Sequence, residues 1–132
     1  MRDHDDTMRY RLELDMLERE PTLGNGRAIE LLRSELALAI NASYFMALSA
    51  GDIEVGSIWR STPRDGVARY AVELVLDERT PVMTDEQAAE LLRREFALAQ
   101  NASHFIRIAS EDFDVTLAAR EPVATQEALR AA

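Results

Sequence analysis

Residues 9–60 of the chain recur at residues 69–120, at a constant offset of sixty and without a gap. Of the 52 aligned positions, 23 are identical. Arg9-Tyr10 matches Arg69-Tyr70, Glu30-Leu31-Leu32-Arg33 matches Glu90-Leu91-Leu92-Arg93, and Asn41-Ala42-Ser43 matches Asn101-Ala102-Ser103. A repeat constrains architecture before any single element is assigned. It predicts one domain built from two copies of one supersecondary unit, related by a pseudo-twofold axis. Residues 1–8 and 121–132 are then tails. A chain of 132 residues is one domain by length and can bury roughly two-thirds of its unfolded surface.

Each copy opens on alternating apolar and polar residues, the period of a half-buried strand. Tyr10, Leu12, Leu14 and Met16 share one face; Tyr70, Val72, Leu74 and Leu76 repeat it. A helical stripe follows: Ala28, Leu31, Leu32, Leu36, Leu38 and Ala39, then Ala88, Leu91, Leu92, Phe96, Leu98 and Ala99. Thr84-Asp85-Glu86-Gln87 reads as a capping box, and Asn25 is the weaker cap of the first copy. The helices are expected to end near Asn41 and Asn101, because asparagine tolerates a left-handed terminus. Beyond them, Phe45–Leu48 and Phe105–Ile108 alternate in one phase. Ile53-Val55 and Phe113-Val115-Leu117 alternate in the other. A phase flip implies a turn or a bulge near Ser49–Asp52 and Ala109–Asp112. A hairpin gives a β-α-β-β unit and a bulge gives β-α-β. Either way the expected class is α+β: an antiparallel-rich sheet with two helices on one face, a ferredoxin-like sandwich or close relative. Ser61–Gly66 links the copies, residues 1–7 read as disordered, and residues 124–132 as a short terminal helix.

The two opening strands are expected to pair antiparallel at the centre of the sheet. Arg9 would face Glu73 and Glu13 would face Arg69, since opposite charges across strands help to choose a register. Leu17, Ala71 and Val75 fall on the face turned away from the helices. One layer of helices leaves that face uncovered, so the chain is expected to be a homodimer or larger oligomer. Trp59, whose counterpart is Ala119, is either a core plug or an interface anchor. Arg60 and Arg120 read as solvated.

Composition narrows the chemistry. There is no cysteine, which excludes disulfides, thiol nucleophiles and thiolate-bound zinc. All fifteen basic residues are arginine, so mechanisms that need a lysine are excluded. A net charge of −9 argues against phosphate-backbone binding and against anionic membranes. The polar opening Met1–Asp6 lacks an apolar stretch, and a cytoplasmic location is expected. No cofactor or metal is implied. The Asn-Ala-Ser triplets match a glycosylation pattern that carries no weight without a secretory leader.

Candidate site residues are few. Glu35 and Glu95 lie within the apolar stripes, where desolvation disfavours a carboxylate unless donors hold it. Side-by-side helices would bring them together as an acid/base or cation-binding pair. His104, with counterpart Tyr44, has no second histidine at ligand spacing and is a weak general-base candidate. Ser43 and Ser103 adjoin it without a nucleophile elbow and fit a helix-end turn better. Three functions remain, in this order: a non-catalytic protein-interaction or self-associating module; a small-molecule-binding protein or enzyme using Glu35 and Glu95 between helices and sheet; and an acidic nucleic-acid mimic using Asp3, Asp5, Asp6, Asp15, Glu18 and Glu20. Arginines interleaved with these acids weaken the third.

Overall fold

The computed structural model describes residues 7–80 and 82–123. The elements are β1 (Thr7–Leu17), α1 (Asn25–Asn41), β2 (Glu54–Arg60), β3 (Val67–Asp77), α2 (Asp85–Asn101) and β4 (Asp114–Pro122). The class is α+β, with one four-stranded sheet in the order β2-β3-β1-β4, antiparallel throughout. The second half repeats the element order of the first. No helix among the described residues is long and apolar enough to cross a membrane. Thr7 and Met8, expected in a tail, open β1, and Glu121 and Pro122 close β4; the expectations for residues 1–6 and 124–132 lie outside the described residues.

Alternation decides which face of the sheet is covered. Met8, Tyr10, Leu12, Leu14 and Met16 of β1, and Ala68, Tyr70, Val72, Leu74 and Leu76 of β3, are buried. They pack against Ala28, Leu32, Leu36 and Ala39 of α1 and Ala88, Leu92, Phe96 and Ala99 of α2 in one core. Leu38 and Leu98, placed in the stripe by sequence, instead remain 48% exposed at its margin. Phe96 anchors an aromatic cluster with Phe45, Phe105 and Phe113, at centroid distances of 4.9, 5.7 and 6.0 Å. Truncating such a buried ring costs about 3–5 kcal/mol.

The segments after the helices are neither hairpins nor bulged strands. Residues 42–48 and 102–108 form successive turns. Each ends in a single bridge, Ser49 to Glu78 and Glu18 to Ala109. The unit is therefore β-α-β, and the apparent alternation misled. Phe45 and Leu48 are buried three residues apart while Met46 lies 53% exposed, which is turn spacing rather than strand spacing. The left-handed residues are Ser43, Phe45, Ser103 and Phe105, with φ between 70 and 73°. Asn41 and Asn101 are the last helical residues, and the C-caps are Ala42 and Ala102. The capping box of α2 forms as expected: Gln87 N donates to Thr84 Oγ1 and Thr84 N to Gln87 Oε1. In α1 the cap is Gly24, without a side-chain bond.

The linker is a tight hairpin. Arg64 and Val67 exchange backbone hydrogen bonds of 2.9 Å around Asp65 and Gly66. Both central residues have positive φ, 53° and 82°, the signature of a type I′ turn.

The central pairing differs from the sequence expectation by two residues. The strands pair antiparallel, but Arg9 faces Val75, Glu13 faces Ala71 and Asp15 faces Arg69. Leu12 faces Val72, its own counterpart, at the centre. The anticipated ion pairs survive as diagonals: Arg9 Nε lies 3.2 Å from Glu73 and Arg69 Nη1 lies 3.7 Å from Glu13. Arg69 Nε makes a closer bond to Asp15, 2.7 Å. Exposed pairs each contribute at most about 1 kcal/mol. Core packing and the buried networks described next outweigh them in setting the register.

Candidate functional site

Two buried ionic networks, related by the sixty-residue offset, close the two ends of the sheet. In the first, Arg60 grips Glu18 with both arms of its guanidinium: Nε to Oε2 at 2.9 Å and Nη2 to Oε1 at 2.7 Å. Its third nitrogen, Nη1, donates to Asn25 Oδ1 at 2.8 Å and to the Leu23 carbonyl at 3.0 Å. The Tyr70 hydroxyl donates to Glu18 Oε2. In the second, Arg120 grips Glu78 at 2.6 and 2.7 Å, reaches Asp85 at 2.8 Å, and Tyr10 donates to Glu78. The tyrosine of each network comes from the opposite copy, so the networks staple the copies to each other.

Sequence had assigned both arginines to solvent. In fact Arg60 and Glu18 side chains are each only 2% exposed, and Arg120 and Glu78 are 8% and 1% exposed. Burial raises both tyrosine hydroxyls well above the ordinary value, and the adjacent carboxylates add to the shift. The bonds to Glu18 and Glu78 raise the two arginines. A fork-to-fork pair with all remaining donors engaged is the geometry in which a buried ion pair is tolerated. A charge locked in this way is a fastener, although the outer carboxylate of the second network, Asp85, remains 76% exposed.

Glu35 and Glu95 are buried, at 4% and 7% exposure. Each is engaged by the turn of the other copy. Glu95 Oε1 accepts from the Phe45 amide at 2.5 Å, and Glu35 Oε1 accepts from the Arg107 amide at 3.4 Å. The carboxylates thus clamp the turns, with their left-handed residues, against the opposite helix. Tyr44 and His104 meet edge to face, with centroids 5.1 Å apart. Ser43 and Ser103 sit in the left-handed turns, where their amides bond the helix ends at 3.1 and 2.9 Å. Among the described residues no three His, Asp or Glu side chains converge as a metal site.

Arg19 and Arg79 add a second tie between the copies. Arg19 Nε donates to the Ile106 carbonyl and Arg79 Nε to the Met46 carbonyl, both at 2.6 Å. Sequence reasoning missed these residues and both networks. The available signal was that Glu18, Arg19, Arg60 and Tyr10 all recur sixty residues on.

Neither α1 nor α2 covers the other face of the sheet. Odd-numbered residues of β1 and β3 point there: Arg9, Arg11, Glu13, Asp15 and Leu17, with Arg69, Ala71, Glu73 and Val75. Trp59 pairs with Ala71 and is 60% exposed, which places it on this face and outside the core. It walls a shallow groove of about 310 Å³ whose floor includes Ala71 and Ala118 and whose sides include Arg11, Glu13, Ser57 and Glu73. Arg11 is exposed and has no side-chain partner among the described residues. Trp59, Ala71, Val75 and Leu17 therefore share one surface, on which an indole stands amid small residues and mixed charges. No family model, curated protein or solved structure matches the chain.

Proposed function

We propose that this protein is a non-catalytic, self-associating module: a ferredoxin-like sandwich made by internal duplication, which buries its outer sheet face against a second copy. The observation that carries this reading is Trp59, 60% exposed on a face that neither α1 nor α2 covers. Tryptophan is enriched among residues that dominate interface energy. The strands β1 and β3 have eleven residues each. With β2 and β4 of seven and nine residues, the four strands present roughly 600 Å² in projection. Stable interfaces bury about 800 Å² per partner, so the face is of suitable size. Its charges favour a second copy over a polyanion or polycation. Arg9, Arg11 and Arg69 are interleaved with Glu13, Asp15 and Glu73, a mixture that can complement itself.

The test is sedimentation equilibrium on the full chain and on Trp59→Arg, with circular dichroism as a check of folding. The indole is mostly in solvent, so the variant keeps its fold. The wild type is expected to reach twice the chain mass of 14.8 kDa at micromolar concentration, and the variant to remain monomeric. A monomeric wild type at high micromolar concentration, or a variant that dimerises as well as the wild type, overturns the proposal.

A further inference from the structure

We infer that the twofold axis of the dimer runs along the strands, between β1 and β3, so that β2 of each copy lies across β4 of the other. This rests on the self-association proposed above and adds its geometry.

The evidence is an asymmetry in height across the outer face. Residues sixty apart occupy equivalent places about the centre of the sheet, where Leu12 faces Val72. Trp59 on β2 and Ala119 on β4 are such a pair. One edge of the face therefore carries a projecting indole. The middle of the opposite edge carries Thr116, Ala118 and Ala119, all short, between Asp114 and Glu121 at its ends. In the β1–β4 pairing, Leu12 faces Leu117 while Arg11 faces Ala119, so Ala118 is the extra residue of a bulge, on the groove floor. The face is a wedge. Two wedges pack at constant separation only when the tall edge of each meets the low edge of the other, and packed sheets keep a spacing near 10 Å.

Two in-plane twofold axes are available. An axis across the strands lays β2 over the partner's β2. Both indoles then crowd one edge while the alanines face each other over a gap, and a gap forfeits dispersion contacts. An axis along the strands lays β2 over the partner's β4, and each indole enters the low edge of the other copy. On the two central strands the charges are compatible with the second arrangement. An axis between β1 and β3 sets each β1 residue over its own register partner in the other copy. Arg11 then faces the partner's Glu73, Asp15 faces the partner's Arg69, and Leu17 faces the partner's Val67. Exposed Arg11 gains a carboxylate, and exposed Val67 gains an apolar neighbour.

The chain has no cysteine, so single introduced thiols report proximity cleanly. Ser57→Cys and Ala118→Cys are both on exposed positions of the groove. One variant carries a tag that separates it by mass. The two are mixed and allowed to exchange. A bis-maleimide of about 10 Å reach, the spacing of packed sheets, is then added. The expected result is a cross-linked heterodimer from the mixture and little product from either variant alone. Self-cross-linking of Ser57→Cys alone overturns the inference in favour of the axis across the strands. A dimer by sedimentation that cross-links in none of the three samples also overturns it, by placing the contact on another face. A monomer by sedimentation is a different outcome: it removes the self-association on which this inference stands.

Discussion

Replacing Arg60 with alanine should be among the most damaging single substitutions in the chain. Arg60 supplies two bonds to Glu18, at 2.9 and 2.7 Å, and two more to Asn25 and Leu23. Its removal leaves the Glu18 carboxylate, 2% exposed, with the Tyr70 hydroxyl as its remaining side-chain donor. Breaking a buried pair from one side costs about 3–5 kcal/mol, because the surviving charge keeps its desolvation penalty. For a domain of this size each kcal/mol shifts Tm by about 3–5 °C, so Arg60→Ala should melt roughly 10–20 °C below the wild type. The assay is thermal denaturation by circular dichroism, with urea unfolding to give the free energy directly. Arg64→Ala, on the exposed hairpin, serves as control and should stay within about 0.5 kcal/mol. The double variant Glu18→Leu/Arg60→Met should recover part of the loss, since an apolar pair removes the stranded charge. Recovery will be incomplete, because the Tyr70 hydroxyl and Asn25 lose their partner. A loss below about 1 kcal/mol for Arg60→Ala, the value expected of a solvated arginine, would refute the reasoning.

Two further outcomes follow from the same contacts. Tyr10 and Tyr70 have hydroxyls raised above their ordinary value near 10, so above that pH the unfolded chain releases protons that the folded chain keeps. Stability should be unaffected below pH ~9 and fall as pH rises beyond ~10, by up to about 2.7 kcal/mol per pH unit for the pair. Urea unfolding between pH 8 and 11.5 should show this slope in the wild type and its absence in Tyr10→Phe/Tyr70→Phe; an unchanged slope would count against it. Glu95→Ala strands the buried Phe45 amide and should cost about 1.5–3 kcal/mol, whereas Glu95→Gln retains an acceptor oxygen and should cost about 1 kcal/mol. Equal losses would mean that charge, rather than the hydrogen bond to the turn, is what the site uses.

Much of the fold was legible because its strands obey a simple period. Even-numbered residues from Met8 to Met16 and from Ala68 to Leu76 are all buried, so alternation gave the inward face, and the repeat gave the element order. The same phase continues to Glu18 and Glu78, and Arg60 is in phase with core-facing Ile58. A charged residue in an inward phase was the available sign of the networks. It was hidden because an isolated charge at a strand end ordinarily turns to solvent, and only its partner, 42 residues away, makes burial tolerable. The post-helical turns were illegible for another reason. Phe45 and Phe105 adopt left-handed backbone conformations, which are rare for aromatic residues. Phe45 is held there by Glu95 and both rings by the packing of Phe96, while Glu35 reaches Arg107 in the second turn; none of these contacts is local in sequence. The register was misjudged because weak surface charges were used to choose it. Ion pairs reach their partners diagonally as well as directly, as Arg9 does to Glu73, so they do not discriminate between registers two residues apart.

The open face was legible in part: alternation put Leu17, Ala71 and Val75 on it, whereas Trp59, left between core and surface by sequence, joins them only in the structure. Its occupant is the central claim, and the chain carries its own probe. Trp59 is the single tryptophan, so its emission reports that surface alone. Fluorescence with acrylamide quenching, measured from nanomolar to high micromolar concentration, should show an exposed, readily quenched indole on dilution. As concentration rises, the emission should move to the blue and the quenching should fall, in step with a doubling of mass. An indole that stays red-shifted and fully quenchable at every concentration would contradict self-association through this face.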